Sequence, residues 1–363
     1  MKREPTPLPV RRAAPAVGPR FEALWARAEK HHIPLRVILE LTRRCNLACR
    51  HCFQERGTGT GDIPFPRIET LLDELREAGT MFLTLTGGEP LLHPRFGDIL
   101  AAASDRGFVV TVFTNATRAD ETTARQFGKA GVESAGISLL GASAAVHDAM
   151  TGVPGSFEST TRGIRRLAEA GVPVRLKTVL TTMNFPDRRA LAALGKSLGA
   201  EAHRFTPLIH PGEAGNRRPI ALRLPRPDLE TAYREESGGM RPCPRPAAKG
   251  DPGFLASCSA GRALAAIRAT GLVTACVNLP ISAGRLEGNR FADLWRNAPG
   301  FAMLRRQTLA DLPVCRSCPH RPFCKRCPGL ALTEGGSLTG PAAGCCLRAE
   351  IRHAMFQESP ETR

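Results

Sequence analysis

Three cysteines stand close together early in the chain, in the run Leu41-Thr-Arg-Arg-Cys45-Asn-Leu-Ala-Cys49-Arg-His-Cys52. Thiolates are soft ligands that select zinc or iron-sulfur clusters. A C-x3-C-x2-C loop supplies one thiolate too few to close a four-iron cluster, which leaves one iron open to a ligand from outside the protein. A zinc site completed elsewhere, or reduced thiols without metal, are the plain alternatives. Further on, Thr86-Gly87-Gly88-Glu89-Pro90 ends an apolar, β-branched run. Two glycines let the backbone come close to a ligand, and Glu89 offers a carboxylate to an ammonium group. Together the two segments point to an amino-acid-like ligand that chelates the open iron.

A second group of thiols fills the C-terminal part. Cys258 is followed by Gly271 and Cys276, then by Cys315-x2-Cys318-x5-Cys324-x2-Cys327 and the adjacent pair Cys345-Cys346. Closely spaced cysteine pairs fit a zinc ribbon as well as iron, because zinc and iron share sulfur-rich tetrahedral sites. Of the 12 cysteines only Cys243 falls outside these runs.

Such loops need strands to carry them. Strands are expected at 35–41, 81–86, 109–114, 134–139, 172–181 and 202–206, with helices at 66–78, 95–106, 120–130, 157–170 and 186–198 between them. Several helices end at a glycine (Gly79, Gly107, Gly131, Gly171, Gly199), the usual stop signal. Repeated strand-helix units imply a parallel sheet, open or curled into a partial barrel, and ligands of such folds sit at the C-terminal strand ends. The expected organisation is a Pro/Arg-rich lead-in with a short helix (1–33), the barrel (34–208), an irregular bridge rich in Pro, Gly, Arg and Glu (209–257), a Cys-rich domain (258–350) and a tail (351–363). Within the Cys-rich domain, strands are expected at 263–269 and 272–275, and helices at 291–296 and 301–306.

The 363 residues are 42% hydrophobic and 23% charged, an ordinary globular composition that excludes collagen-like and wholly disordered chains. No apolar run is long enough to span a membrane, and Met1 to Arg20 lacks the apolar core of a signal peptide. A cytoplasmic setting is therefore expected, where thiols stay reduced and clustered cysteines argue for metal over disulfides. The net charge of +16 comes mostly from arginine in scattered pairs, and only 5% of residues are aromatic. That pattern argues against nucleic-acid binding, while a basic cleft for an anionic cofactor or acidic peptide stays open.

The cysteine loop and the Gly-Gly-Glu-Pro strand end, in this order and spacing, resemble the radical S-adenosylmethionine (SAM) superfamily. The resemblance implies a partial (β/α)6 TIM-like barrel with a [4Fe-4S] cluster on Cys45, Cys49 and Cys52. SAM would chelate the open iron, with Gly87, Gly88, Glu89 and Pro90 near its amino end, Asn115 and Ser138 at further strand ends, and His51 against the adenine. Reductive cleavage of SAM would then give a 5′-deoxyadenosyl radical that abstracts hydrogen from a substrate. The run His147-Asp148-Ala-Met-Thr151-Gly152 also resembles the family, except that Thr151 stands where Arg is common. Arg175 and Lys177 on the fifth strand are candidate substitutes for its carboxylate-binding role.

The C-terminal spacing resembles the SPASM extension of such enzymes, with x2 in place of x3 before Cys327. By resemblance, Cys315, Cys318, Cys324 and Cys345 or Cys346 would hold one auxiliary cluster. Cys258, Cys276, Cys327 and Cys243 would hold another, both expected as [4Fe-4S]. The resemblance implies modification of a ribosomally made precursor peptide by cross-link, thioether or epimerisation, fed by a flavodoxin- or ferredoxin-like reductant. Tailoring of haem-type tetrapyrroles is the competing reading. Sulfatase maturation fits less well, because Val277 stands where those enzymes carry an Asp. A non-catalytic iron-sulfur carrier would leave the Gly-Gly-Glu-Pro strand end without a ligand. Leader-peptide recognition is expected from a separate small binding protein, or from the basic bridge around Arg217 to Arg245, since too few residues precede the barrel for a dedicated domain.

Overall fold

The computed structural model describes residues 18–55, 57, 62–236 and 258–358. Helix α1 (Pro19–His31) leads into strand β1 (Arg36–Glu40). Alternation then runs through α2 (Phe65–Glu77), β2 (Phe82–Thr86), α3 (Phe96–Asp105), β3 (Val109–Thr114), α4 (Glu121–Lys129) and β4 (Ser134–Ser138). It continues with α5 (Ala144–Thr151), α6 (Ser156–Glu169), β5 (Val174–Val179), α7 (Arg188–Ser197) and β6 (Ala202–Thr206). All six strands pair in parallel and in sequence order, from β1 to β6.

Alternation along the strands separates two faces. Val37, Leu39, Leu83, Leu85, Val112, Ile137 and Leu176 are buried on the outer face against Ile68, Leu71, Leu72 and Leu75 of α2, Ile99 of α3 and Ile164 of α6. The inner face carries Glu40, Thr84, Thr86, Thr111, Phe113, Ser138 and Lys177 and is the lumen of an open barrel. Gly107 and Gly171 close α3 and α6 with φ of 73° and 74°, a backbone state that a side chain would strain.

The C-terminal region does not hang from the barrel as a separate bead. After α8 (Arg226–Glu236), strand β7 (Leu264–Ile267) pairs in parallel with β1, and β8 (Leu272–Cys276) and β9 (Leu279–Arg285) follow antiparallel, so one nine-stranded sheet crosses the whole molecule. Helices α9 (Phe291–Asn297), α10 (Pro299–Arg306), α11 (Pro328–Gly335) and α12 (Ala343–Gln357) complete it. Buried Glu74 of α2 accepts from Phe291 N at 2.6 Å and pairs with Arg67 at 3.0 Å, and Trp295 Nε1 donates to His32 O at 2.6 Å. These contacts lock α9 onto the barrel wall.

Five elements differ from the sequence expectation, one of them α11, a helix directly after Cys327. Helix α5 fills what reads as a loop after β4, and β9 escapes notice because Pro280 and Gly284 interrupt it and its pairing with β8 shifts register twice. The bridge contains α8, a charged helix whose Leu229, Ala232 and Tyr233 bury against Leu180, Phe185 and Ile351. Helix α12 continues to Gln357, through the segment read as a tail.

Candidate functional site

The cysteine loop leaves β1 and is pinned on three sides. Gly88 N donates to Thr42 O at 2.7 Å and Glu89 N to Arg44 O at 2.8 Å, so the end of β2 runs along the loop backbone. A Cβ on Gly87 would lie 2.6 Å from Thr42 O, and one on Gly88 would collide with Arg44 O. The glycine pair is therefore required by the loop itself, a tighter reason than access for a ligand. On the far side Ala48 N and Arg50 N donate to the last carbonyls of α5, Thr151 O at 2.7 Å and Met150 O at 3.0 Å. Asn46 is held between Thr117 Oγ1 at 2.7 Å and Asn115 Nδ2 at 3.0 Å, beyond the end of β3.

Cys45, Cys49 and Cys52 line one cavity of about 670 Å³ together with Arg43, Gly88 and Arg218. Glu89 does not line it. Its carboxylate, 1% exposed, accepts from Thr114 Oγ1 at 2.6 Å, Asn115 N at 2.7 Å and Leu91 N at 3.1 Å. Burial pushes Glu89 up to about 7 against those hydrogen bonds. Pro90 starts a buried turn behind it, Asn115 spends its side chain on Asn46 and Thr117, and Ser138 lies on the lumen face beside Lys177 in the β4–β5 register. His51 does not line the cavity either: its Nδ1 is buried without a hydrogen-bond partner, and burial lowers the ring to about 4.

His147 and Asp148 serve the scaffold. Asp148 caps α6 through Gly155 N at 2.7 Å and Phe157 N at 2.8 Å, and His147 Nδ1 accepts from Leu140 N at 3.2 Å. Thr151 is fully buried and bonds Ser156, so the position where Arg is common faces no cavity here. Arg175 is engaged by Glu133 at 2.6 Å.

The auxiliary thiols form two looser sets. Burial raises Cys258, Cys276 and Cys327, Cys258 up to about 12; Cys276 and Cys327 add to the rise at Cys258, and Cys276 to that at Cys327. Backbone N–H groups of Val277, Asn278 and Leu279 point at the Cys276 sulfur, and those of Leu330 and Gly329 at Cys327. Donors of this kind fit thiolates that carry charge to a cluster. In the second set burial raises Cys324 to about 12, with added contributions from Cys345, Cys346, Cys315 and Cys318. Cys346 faces Cys315 and Cys318, whereas Cys345 is buried against Cys324 and Cys327. Cys243 lies outside the described residues. Among the described residues no three His, Cys, Asp or Glu side chains are drawn together for one shared metal ion.

Between the two thiol regions lies a second cavity of about 260 Å³, lined by Phe53, His210, Glu213, Arg268, Cys276 and Asn278. Phe53 and Glu213 also line the first cavity and form its partition. The partition is clamped: Arg268 pairs with buried Glu40 at 3.0 Å and with Glu213, while Glu213 N donates to Phe53 O at 2.8 Å. Sequence reasoning missed this trio. The one available signal was an acid, Glu40, ending an apolar strand.

The chain matches the model of the radical SAM superfamily over residues 39–192 and that of an iron-sulfur cluster-binding domain, SPASM, over 258–319. It is 30% identical over 327 residues to the mycofactocin maturase MftC of Mycobacterium ulcerans, covering 86% of this chain and 88% of the relative. The chain belongs to the radical SAM superfamily. This radical SAM/SPASM enzyme is also 28% identical over 324 residues to the AdoMet-dependent heme synthase of Oleidesulfovibrio alaskensis, covering 82% and 83% of the two chains. Its fold is similar to that of Streptococcus suis SuiB, solved bound to its precursor peptide SuiA, with a TM-score of 0.70 and 18% identity over 90% of this chain and 80% of the other. Membership brings SAM, a [4Fe-4S] cluster and auxiliary iron-sulfur clusters as cofactors.

Proposed function

We propose that this enzyme oxidises a C–H bond of a ribosomally made peptide, with Cys45, Cys49 and Cys52 holding the SAM-binding cluster. The observation that carries this reading is the second cavity, which lies between the cysteine loop and Cys276 and shares Phe53 and Glu213 with the first. When bound, the cluster and SAM supply a 5′-deoxyadenosyl radical for hydrogen abstraction. The protein's own part is to seat the substrate across the partition, exclude water behind Phe53, and keep His51 and His210 uncharged, both lowered to about 4 by burial. Cys258, Cys276 and Cys327, with Cys243 as the fourth ligand expected from the sequence, would hold an auxiliary cluster that could supply an electron acceptor for the substrate. Cys315, Cys318, Cys324 and Cys346 hold the other, Cys346 being chosen over Cys345 because it faces Cys315 and Cys318.

Relatives whose names specify a maturase or a peptide cyclase support a peptide substrate, as does the SuiB complex with SuiA. The experiment is anaerobic incubation of the reconstituted, dithionite-reduced enzyme with SAM and the precursor peptide encoded beside its gene. 5′-Deoxyadenosine together with a mass change on the peptide supports the reading; deoxyadenosine without peptide modification rejects the substrate. A second reading, tailoring of a tetrapyrrole, is favoured by the heme synthase relatives and by the basic side chains of the lumen. Leader binding is assigned to a separate small protein or to the basic bridge, of which residues 237–257 lie outside the described residues. Electrons enter from a flavodoxin- or ferredoxin-like protein.

A further inference from the structure

Among the described residues Lys177, inside the barrel, pairs with no acid. On β5 it shares the inner face with Arg175, while Leu176 and Thr178 between and beside them are fully buried on the outer face. Its stem crosses β4 at Gly136, where a Cβ would lie 2.8 Å from Phe113 Cδ1 and 3.1 Å from Lys177 Cε. The missing side chain at 136 is thus what lets the ammonium reach the face of Phe113, with Nζ 2.8 Å from the ring centroid. A ring face holds a cation without neutralising it.

The acids of this face are already committed. Glu133 pairs with Arg175 at 2.6 Å, and Glu40 with Arg268 at 3.0 Å. Among the described residues no salt bridge reaches Lys177, Arg204 or Arg36, yet all three belong to one electrostatic group, since Arg204, Arg36 and Arg175 each oppose protonation of Lys177 after burial does. Burial and these neighbours lower the Lys177 ammonium to about 7. Arg36, Arg175 and Arg204 are exposed to solvent, so burial chiefly disfavours the ammonium, and a carboxylate beside Lys177 would favour its charged form. It sits in register with Ser138, at the strand ends where ligands of this fold bind.

We propose that Lys177 is a specificity residue that binds a carboxylate of the substrate within the barrel lumen. This rests on the radical SAM reading above and extends the substrate from the cavities beside Phe53 into the lumen, since Lys177 lines neither cavity. Both substrate classes favoured above can present that group, a peptide through its C-terminus or an acidic side chain and a tetrapyrrole through its propionates. The carboxylate is the shared chemistry, and Arg204 beside Lys177 in the β5–β6 register would meet its second oxygen.

The test is calorimetry on the reconstituted, SAM-loaded enzyme with two probe pairs: the peptide encoded beside the gene, with its carboxyl groups free or all amidated, and coproporphyrin III as the tetra-acid or the tetra-amide. The expected result is that one acid binds roughly ten- to a hundredfold more tightly than its amide, that Lys177→Met removes this preference and that Lys177→Arg keeps most of it. The pair that shows the preference identifies the source of the carboxylate. The proposal is overturned if neither pair shows it in the unaltered enzyme, if the preference survives Lys177→Met, or if Lys177→Met weakens SAM itself by the same factor, which would make the carboxylate that of SAM. Deoxyadenosine formation by the unaltered enzyme, measured in parallel, separates failure of this proposal from failure of the enzymatic reading.

Discussion

The two thiol regions are built to opposite ends. In the barrel, the cysteines stand on a loop that borders a cavity of about 670 Å³, with Cys52 exposed, and the loop is held from outside by the ends of β2, β3 and α5. In the C-terminal module the sulfurs are buried deeply enough to push Cys258 and Cys324 up to about 12, and backbone N–H groups close on Cys276 and Cys327. Openness lets a ligand reach a metal, whereas burial of Cys258, Cys276 and Cys324 shields one from solvent, with Cys346 alone of the module's described thiols as exposed as Cys52. An iron-free module would keep protonated thiols in its core, so metal and fold depend on each other there. The barrel loop is held by hydrogen bonds that exist without metal.

The comparison breaks most visibly in the Cys45, Cys49 and Cys52 triple Ala variant. Deoxyadenosine formation should fall below detection while the protein keeps roughly two thirds of its iron, since only one of three clusters loses its thiolates. Iron and sulfide assays check the retained fraction, and a protein left with zinc and no sulfide would make the module a zinc ribbon. Next in size is Gly88→Ala. The added methyl meets Arg44 O and must push the cysteine loop away from β2, which should lower deoxyadenosine formation at least tenfold and destabilise the fold by about 1–3 kcal/mol. Unchanged turnover would show that the loop is not held by this contact.

Smaller effects separate the module's own thiols. Cys346→Ser should remove about a third of the iron, whereas Cys345→Ser should leave iron within roughly a tenth of the unaltered value, because Cys346 faces Cys315 and Cys318 while Cys345 packs against Cys324 and Cys327. Equal losses would reject that assignment. Chelators should also act in order, with a bathophenanthroline titration stripping the barrel cluster before the auxiliary ones and added SAM slowing the first phase alone.

The barrel was legible because each of its signals is local. Apolar strands, helices stopped by glycine, and a cysteine loop directly after β1 all lie within short windows, and so does the Gly-Gly-Glu-Pro strand end that turned the thiol spacing from zinc towards an open iron. What stayed hidden depends on residues distant in sequence. Glu40, Glu213 and Arg268 come from β1, the bridge and β7, and nothing in their own windows marks them as one clamp. The pairing of β7 with β1, which makes one sheet of two expected domains, is equally non-local. Glu89 and Asn115 were recognisable as site residues, but the spending of their side chains inside the scaffold is visible only where β2 and β3 end side by side. Helix α8 was missed for a different reason: its few apolar residues find their partners in Phe185 and Ile351, far along the chain.

Acid should sharpen the contrast by loosening the barrel first. His51, His147 and His203 lie in the barrel and His210 just beyond β6, and burial lowers each from 6.5 to about 4. Between those two values the unfolded chain binds more protons than the folded one, so the stability these rings contribute is complete above pH 6.5 and is lost as pH falls through 4. Glu89 works the other way: raised from 4.5 to about 7, it binds its proton more readily when folded, and its contribution grows as pH falls through the same range. Four rings at roughly 1–3 kcal/mol each outweigh the two carboxyls that burial raises, Glu89 and Glu40, and the net change is destabilisation on acidification. Hydrogen exchange of the holoprotein, pulsed between pH 7 and 5 with iron content followed in parallel, should therefore show protection falling in the β3–β6 peptides before those of α11 and α12. The finest effect belongs to His147→Gln. The Gln oxygen can take over the hydrogen bond from Leu140 N that His147 Nδ1 now accepts, and the variant removes one titrating ring, so the pH dependence of exchange should flatten by up to one proton with little change at pH 7. An unchanged slope would mean that this ring takes up its proton as readily in the folded chain as in the unfolded one, and that burial at His147 carries none of the acid sensitivity.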